Sequence, residues 1–145
     1  MTKYLTPYRL ATYLLLFFAF VHTAGGLFGQ REGSAEAEAV FHAMKVVTFT
    51  MMGATCSWYG FWLGFGLLVT VFFLFAAVVT WQLGGMTRAE RQPLQPIAWA
   101  LCVSFVATSA LSWTYFFAAP GTTSTLIAIL VAVECVRDRR AARAA

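Results

Sequence analysis

Charge is what this sequence has least of. Of its 145 residues, 10 are Lys or Arg and 6 are Asp or Glu, so that only 11% are charged, whereas soluble domains carry about a quarter. No charged side chain and no histidine occurs from Val46 to Thr87 or from Gln92 to Val133. Uncharged apolar stretches of about 20 residues are long enough to cross hydrocarbon. The shortage of charge therefore excludes a water-soluble fold and predicts an integral membrane protein.

Several chemical signatures are also missing. There is no Asn, and therefore no N-glycosylation site. Cys56, Cys102 and Cys135 do not have the spacing of a metal or disulfide framework. The chain has no phosphate-binding loop, no zinc-protease motif, no serine nucleophile elbow and no paired acids within its apolar segments. These absences argue against active transport and lead us to predict no metal and no cofactor.

The apolar segments predict an all-α integral membrane four-helix bundle that forms a single domain over residues 1–145. The spans are predicted at residues 10–28, 58–83, 97–117 and 122–136. The uncharged run from Val46 to Thr87 would, as one helix, be about twice as long as the hydrocarbon is thick, so it must break, and Gly53 to Gly60 is the expected place. Gly84-Gly85 should end the second span, and Pro120-Gly121 predicts a tight turn before the fourth. A cleaved signal peptide is the alternative for the first segment.

The net charge of +4 comes from basic residues at the ends of the apolar segments, which is the membrane pattern, so no nucleic-acid partner is predicted. With four spans, eight basic residues fall on one side: Lys3, Arg9, Arg88, Arg91, Arg137, Arg139, Arg140 and Arg143. Only Arg31 and Lys45 fall on the other side. A fifth span would translocate Arg88 and Arg91. The positive-inside rule therefore predicts cytoplasmic N- and C-termini and an external segment over residues 30–57.

The external segment contains a predicted short helix. Ser34 is suited to be its N-cap, and Glu36 and Glu38 then lie in the first turn, where negative charge is favoured. The helix is expected to run from Ala35 to about Met52 and to lie in the membrane interface.

Small residues four positions apart predict close contacts between helices in lipid. The residues with this spacing are Gly25 and Gly29, Gly60 and Gly64, and Ser104, Thr108 and Ser112. At the other end of the last span, Glu134 is expected to be an interfacial partner of Arg137 or Arg140.

Placed by depth, most polar and aromatic residues fall in the outer half of the protein and could line one outward-facing cavity. His22 is the sharpest signal, because an ionisable residue within a span is costly and tends to face the bundle interior. Candidate catalytic residues are His22, Tyr59, Tyr115 and Lys45. Candidate ligand-binding residues are His42, Trp58, Trp62, Trp113 and Thr122. His42 is three residues from Lys45 and four from Glu38, a spacing that predicts one common helix face for the three. The simpler interpretations are a neutral His22 bonded to a neighbour, a solvated helix face for His42 and Lys45, and aromatic belts at the span ends.

Five segments carry a resemblance to a known group of proteins. They are VHTAGGLFG from Val21, FHAMK from Phe41, SWYGFWLGFGL from Ser57, TWQL from Thr80 and LSWTYFFAAP from Leu111. With these the chain resembles an uncharacterised bacterial family of small four-helix membrane proteins. The resemblance implies a multi-pass protein of the bacterial inner membrane and no particular activity. The size and helix number are also similar to those of DoxX-like proteins, an architectural likeness that does not give function.

Two functional hypotheses follow. The first is a membrane protein that binds a lipid-like or apolar small molecule, or that serves as accessory subunit of a membrane complex. Its partners would be the lipid bilayer, a lipophilic small molecule, and a membrane protein or a second copy of the chain. The alternative is a membrane isomerase, cyclase or hydrolase acting on a lipid-soluble substrate, with His22 as general acid or base. A haem or quinone redox protein, with His22 and His42 as haem ligands, is a third alternative.

Overall fold

The structure, a computed structural model, describes residues 5–29 and 33–144. Lys3 and Arg31 of the charge analysis lie outside these residues. In chain order the helices and strands are α1 (Pro7–Val21), a π-helical turn (His22–Leu27), α2 (Ala35–Val46), β1 (Thr48–Met51), β2 (Ala54–Ser57), α3 (Trp58–Gly85), α4 (Arg88–Arg91), a 3-10 turn (Gln92–Leu94), α5 (Gln95–Tyr115) and α6 (Ala118–Ala144).

Within the described residues, four stretches of helix are long and apolar enough to cross a membrane. They are Pro7–Leu27, Trp58–Gly85, Arg88–Tyr115 and Ala118–Arg143. The predicted all-α class with four spanning helices is thereby confirmed. The fourth helix is longer than the predicted 122–136, because the basic tail after Val136 is rich in Ala and Arg, both strong helix formers, and continues the helix.

The predicted turn at Pro120-Gly121 is wrong. The connection lies at Phe116 and Phe117, and Pro120 is in the first turn of α6, where a residue without an N–H is tolerated. Gly121 instead allows a close approach, because a Cβ placed there would lie 2.6 Å from Cδ2 of Trp113.

The predicted helix from Ala35 ends earlier than expected. Its N-cap is confirmed, because the Ser34 hydroxyl accepts a hydrogen bond from the Ala37 N–H at 3.4 Å. A hydrogen bond from Ser34 also lowers the pKa of Glu36 in the first turn. The extension to Met52 is wrong, because α2 stops at Val46 and the next residues form an antiparallel hairpin. A run of β-branched and aromatic side chains favours strand there.

The described contacts divide the chain into two compact units. The first comprises the described residues up to Phe18 and from Phe73 onward, and the second spans Ala19–Phe72. The prediction of a single domain stays a prediction.

In the first unit, pairs of hydroxyl groups join neighbouring helices. Thr12 of α1 and Thr80 of α3 are both buried, with their Oγ1 atoms 2.9 Å apart. Ser109 of α5 and Thr125 of α6 are paired at 2.6 Å. Such pairs are typical of helix contacts in lipid. Of the stripe predicted on α5, Ser104 is exposed and Thr108 is half-buried, and both donate to carbonyls of their own helix. Only Ser112 of that set is buried.

In the second unit, the π-helical turn packs against the first half of α3. Thr23 and Thr70 are paired at 2.9 Å, and Leu27 is buried against Gly66. The close approach is therefore at Gly66, and the contacts predicted at Gly60 and Gly64 are wrong. Among the described residues, a Cβ at Gly60 would meet Ser57 of its own segment at 3.2 Å, and a Cβ at Gly64 would meet nothing within 4 Å.

Candidate functional site

An open cavity of about 760 Å³ lies in the second unit. One face of α2 forms a long wall, which the end of the π-helical turn and the first residues of α3 complete. The residues that line the cavity are Leu27, Phe28, Gly29, Gly33, Ala37, Glu38, Phe41, His42, Lys45 and Tyr59. The α2 residues among them recur at intervals of three and four, which places their side chains on one helix face. The predicted common face of Glu38, His42 and Lys45 is thereby confirmed.

The cavity has aromatic residues at its base. The Phe41 ring meets Trp62 edge to face, with ring centroids 6.4 Å apart, and Tyr59 lies 5.6 Å from the same Trp62 ring. Aromatic pairs at such distances add to the energy of area burial. Tyr59 and Phe41 are thus held in place by a side chain behind the cavity wall.

A positive charge, the ammonium group of Lys45, lies beside these aromatic residues. The Lys45 ammonium lies 5.3 Å from the centroid of the Tyr59 ring, within cation–π distance. No carboxylate of the described residues is within ion-pair distance of Lys45. His42, one turn earlier on the same face, adds a second nitrogen donor. The arrangement can therefore hold a negative group beside Lys45 and apolar atoms against Leu27 and Phe28.

Four of the predicted site residues belong to this cavity or its base, namely His42, Lys45, Tyr59 and Trp62. Trp58 lies beside it, on a smaller apolar cavity of about 240 Å³ with Val40 and Met44. His22 is in the same unit but does not line either cavity. Its Nε2 is 3.0 Å from the Gly66 carbonyl oxygen, so the ring is hydrogen-bonded to a neighbour, as the simpler interpretation of His22 expects.

The remaining three predicted site residues lie in the first unit. The Trp113 indole donates a hydrogen bond to Thr125 at 3.1 Å. Thr122 donates to the carbonyls of Ala118 and Ala119 in its own helix. Tyr115 ends α5 and is largely exposed. Their part in one common cavity, and the role of His22 as acid or base, stay predictions.

The sequence did not reveal a cluster of buried charged side chains in the first unit. The guanidinium of Arg91 donates twice to Asp138, from Nε at 2.7 Å and from Nη2 at 2.8 Å. It also donates to the Leu83 and Met86 carbonyls. Nη2 lies 3.4 Å from Glu134, which receives a further hydrogen bond from Arg137. The expected contact of Glu134 with Arg137 is present, but Glu134 is buried. Because its charges are paired, we assign this cluster to structure.

No group of three or more His, Cys, Asp or Glu able to hold a metal ion occurs in the part of the chain that the structure describes. Comparisons with family models, with curated proteins and with solved structures find no match to this chain. The class of the protein therefore comes from its own helices, which define a multi-pass membrane protein.

Proposed function

We propose that this membrane protein binds a lipid-like small molecule with an anionic group in the cavity between α2 and the start of α3. The observation that carries the proposal is the position of Lys45, which has no carboxylate of the described residues within ion-pair distance, in a cavity with apolar and aromatic side chains; the Glu38 carboxylate lies farther along the same helix face. Ligand sites are typically apolar clefts with a few placed polar groups. The anionic group would lie at Lys45 and His42, and the apolar chain would lie along Phe28 and Phe41.

The charge on Lys45 is tested with two probes of equal chain length, a fluorescent fatty acid and the corresponding fatty alcohol. Replacing Lys45 by Gln keeps most of the side chain and removes the charge. A hydrogen bond to a charged group is worth about 1.5–3 kcal/mol, so we expect the fatty acid to bind about tenfold more weakly or worse. Binding of the alcohol should change little. Affinity is measured by titrating detergent-solubilised protein and following the polarisation of the probe.

Two variants serve as controls. Arg140→Gln removes an exposed cation outside the cavity and should leave both affinities unchanged. Phe41→Ala removes part of the apolar wall and should weaken acid and alcohol alike. If the fatty acid binds saturably and Lys45→Gln leaves its affinity unchanged, the anionic site at Lys45 is excluded. No saturable binding of either probe would instead favour an accessory subunit of a membrane complex.

A further inference from the structure

The hairpin between α2 and α3 is amphipathic in a way that is independent of the proposed ligand site. In its register, Thr48 is opposite Ser57 and Thr50 is opposite Thr55. The alternate pairs are Phe49 with Cys56 and Met51 with Ala54. Because successive pairs point to opposite faces of a sheet, one face carries four hydroxyl groups and the other carries none.

The apolar face of the hairpin is continuous with the surface of α3. The Phe49 ring lies 4.6 Å from Trp58 and 5.5 Å from Phe61, and Phe61 lies 4.8 Å from Phe65. Trp58, Phe61 and Phe65 are all exposed on a helix of spanning length, so they face lipid. Phe49 extends this lipid-facing stripe from the helix onto the hairpin, and Met51 comes next on the same face.

The tip of the hairpin presents a further apolar side chain. Met52 and Gly53 have φ angles of 52° and 83°, the two positive values of a type I′ turn. Asn, Asp or Gly is usual at the first of these positions, and a residue like Met is rare there. Met52 is 100% exposed within the protein. An apolar side chain held in an unfavourable backbone conformation and wholly exposed indicates a surface that contacts something other than water.

Position along the chain identifies that surface. β2 ends at Ser57 and α3 begins at Trp58 with no linker, and Trp is typical of the boundary between hydrocarbon and head groups. The hairpin carries no charge. Because the sheet has two strands, the outer edge of each has no neighbouring strand among the described residues. The hydrocarbon core would not tolerate such edges, but the hydrated head-group region can. The hairpin therefore fits the interface, with its hydroxyl face toward water.

We propose that the hairpin Thr48–Ser57 inserts its apolar face and its Met52 tip into the lipid leaflet at the N-terminal end of α3. The leaflet is the occupant that these residues fit, because the stripe begins on lipid-facing residues of the span itself. The hairpin directly follows α2, which forms a wall of the candidate cavity. Its insertion would therefore anchor this part of the chain to the membrane.

The test compares neighbouring positions on opposite faces. In a Cys56→Ala background, with the buried Cys102 and Cys135 retained, we would make Met51→Cys, Met52→Cys and Thr50→Cys separately and attach an environment-sensitive nitrobenzoxadiazole label to each. The proteins are placed in phosphatidylcholine nanodiscs with a nitroxide near the glycerol end of the acyl chain. We expect the labels at 51 and 52 to be quenched several-fold more by the nitroxide than by aqueous iodide, and the label at 50 to show the reverse.

Two results would overturn the proposal. Equal quenching of all three labels by iodide would place the whole hairpin in water. Labels at 51 and 52 that neither quencher reaches would mean that protein, in a partner or in a second copy, covers the apolar face.

Discussion

Replacing Arg91 by Met is expected to lower the free energy of unfolding by about 3–5 kcal/mol, the cost of breaking a buried ion pair by removing one partner. Arg91 neutralises Asp138 through two hydrogen bonds and lies against Glu134, and all three side chains are buried. Without the guanidinium, Asp138 would be left as a buried carboxylate opposite an apolar side chain. The Leu83 and Met86 carbonyls would lose their donor as well.

The matched control is Arg88→Met. Arg88 reaches the same Asp138 carboxylate from 3.9 Å, but its side chain is 62% exposed, and exposed ion pairs are worth about 0–1 kcal/mol. The double variant Arg91→Met with Asp138→Leu should recover part of the loss, because an apolar pair can replace a buried ion pair. Unfolding is followed by Trp fluorescence as a denaturing detergent is added to protein in a mild one. Equal losses for Arg88→Met and Arg91→Met would contradict a structural role for the buried cluster.

Replacing Gly66 by Leu is expected to lower the free energy of unfolding by about 2–4 kcal/mol, from overpacking and a weakened hydrogen bond. Leu27 is buried directly against Gly66, so a larger side chain must displace it. The displacement would also separate the Gly66 carbonyl from the His22 ring, which lies 3.0 Å from it.

Gly64→Leu on the same helix is the control for this prediction. A Cβ at Gly64 would meet no atom of the described residues within 4 Å. Replacing Gly by Leu raises the helix propensity equally at both positions, but at Gly64 it should cause no clash. The free energy of unfolding should therefore change by no more than about 0.5 kcal/mol or rise slightly. Unfolding is measured as for the Arg91 variants. If Gly64→Leu is the more damaging change, the close approach lies at Gly64 and not at Gly66.

The sequence predicted structure correctly where the feature depends only on interactions within one short segment. The uncharged runs predicted four spanning helices, and the structure has them. Ser34 was predicted as a cap from its position alone, since a cap bonds only to the following turn. The intervals among Glu38, His42 and Lys45 predicted a common helix face for the same reason.

Predictions failed where two local preferences compete. The residues from Thr48 have both the apolar content of a helix end and the alternation of a strand. The hydrogen-bonded pairing of β1 with β2 favours the hairpin over a longer helix. That pairing requires a tight turn at Met52, and Met rarely adopts the positive φ angle of such a turn. Pro120 was interpreted as a turn residue, but the first turn of a helix accepts proline equally well.

By itself, the sequence determined the membrane class, the number of spanning helices and the helix face that carries His42 and Lys45, because hydropathy and helical periodicity act over neighbouring residues. Only the tertiary structure decided that Gly66 rather than Gly64 allows a close approach, that Arg91 pairs with Asp138, and that Phe41, Lys45 and Tyr59 meet around one cavity. These contacts join residues from separate helices. Their existence depends on how the helices pack, a property that no spacing along one segment contains.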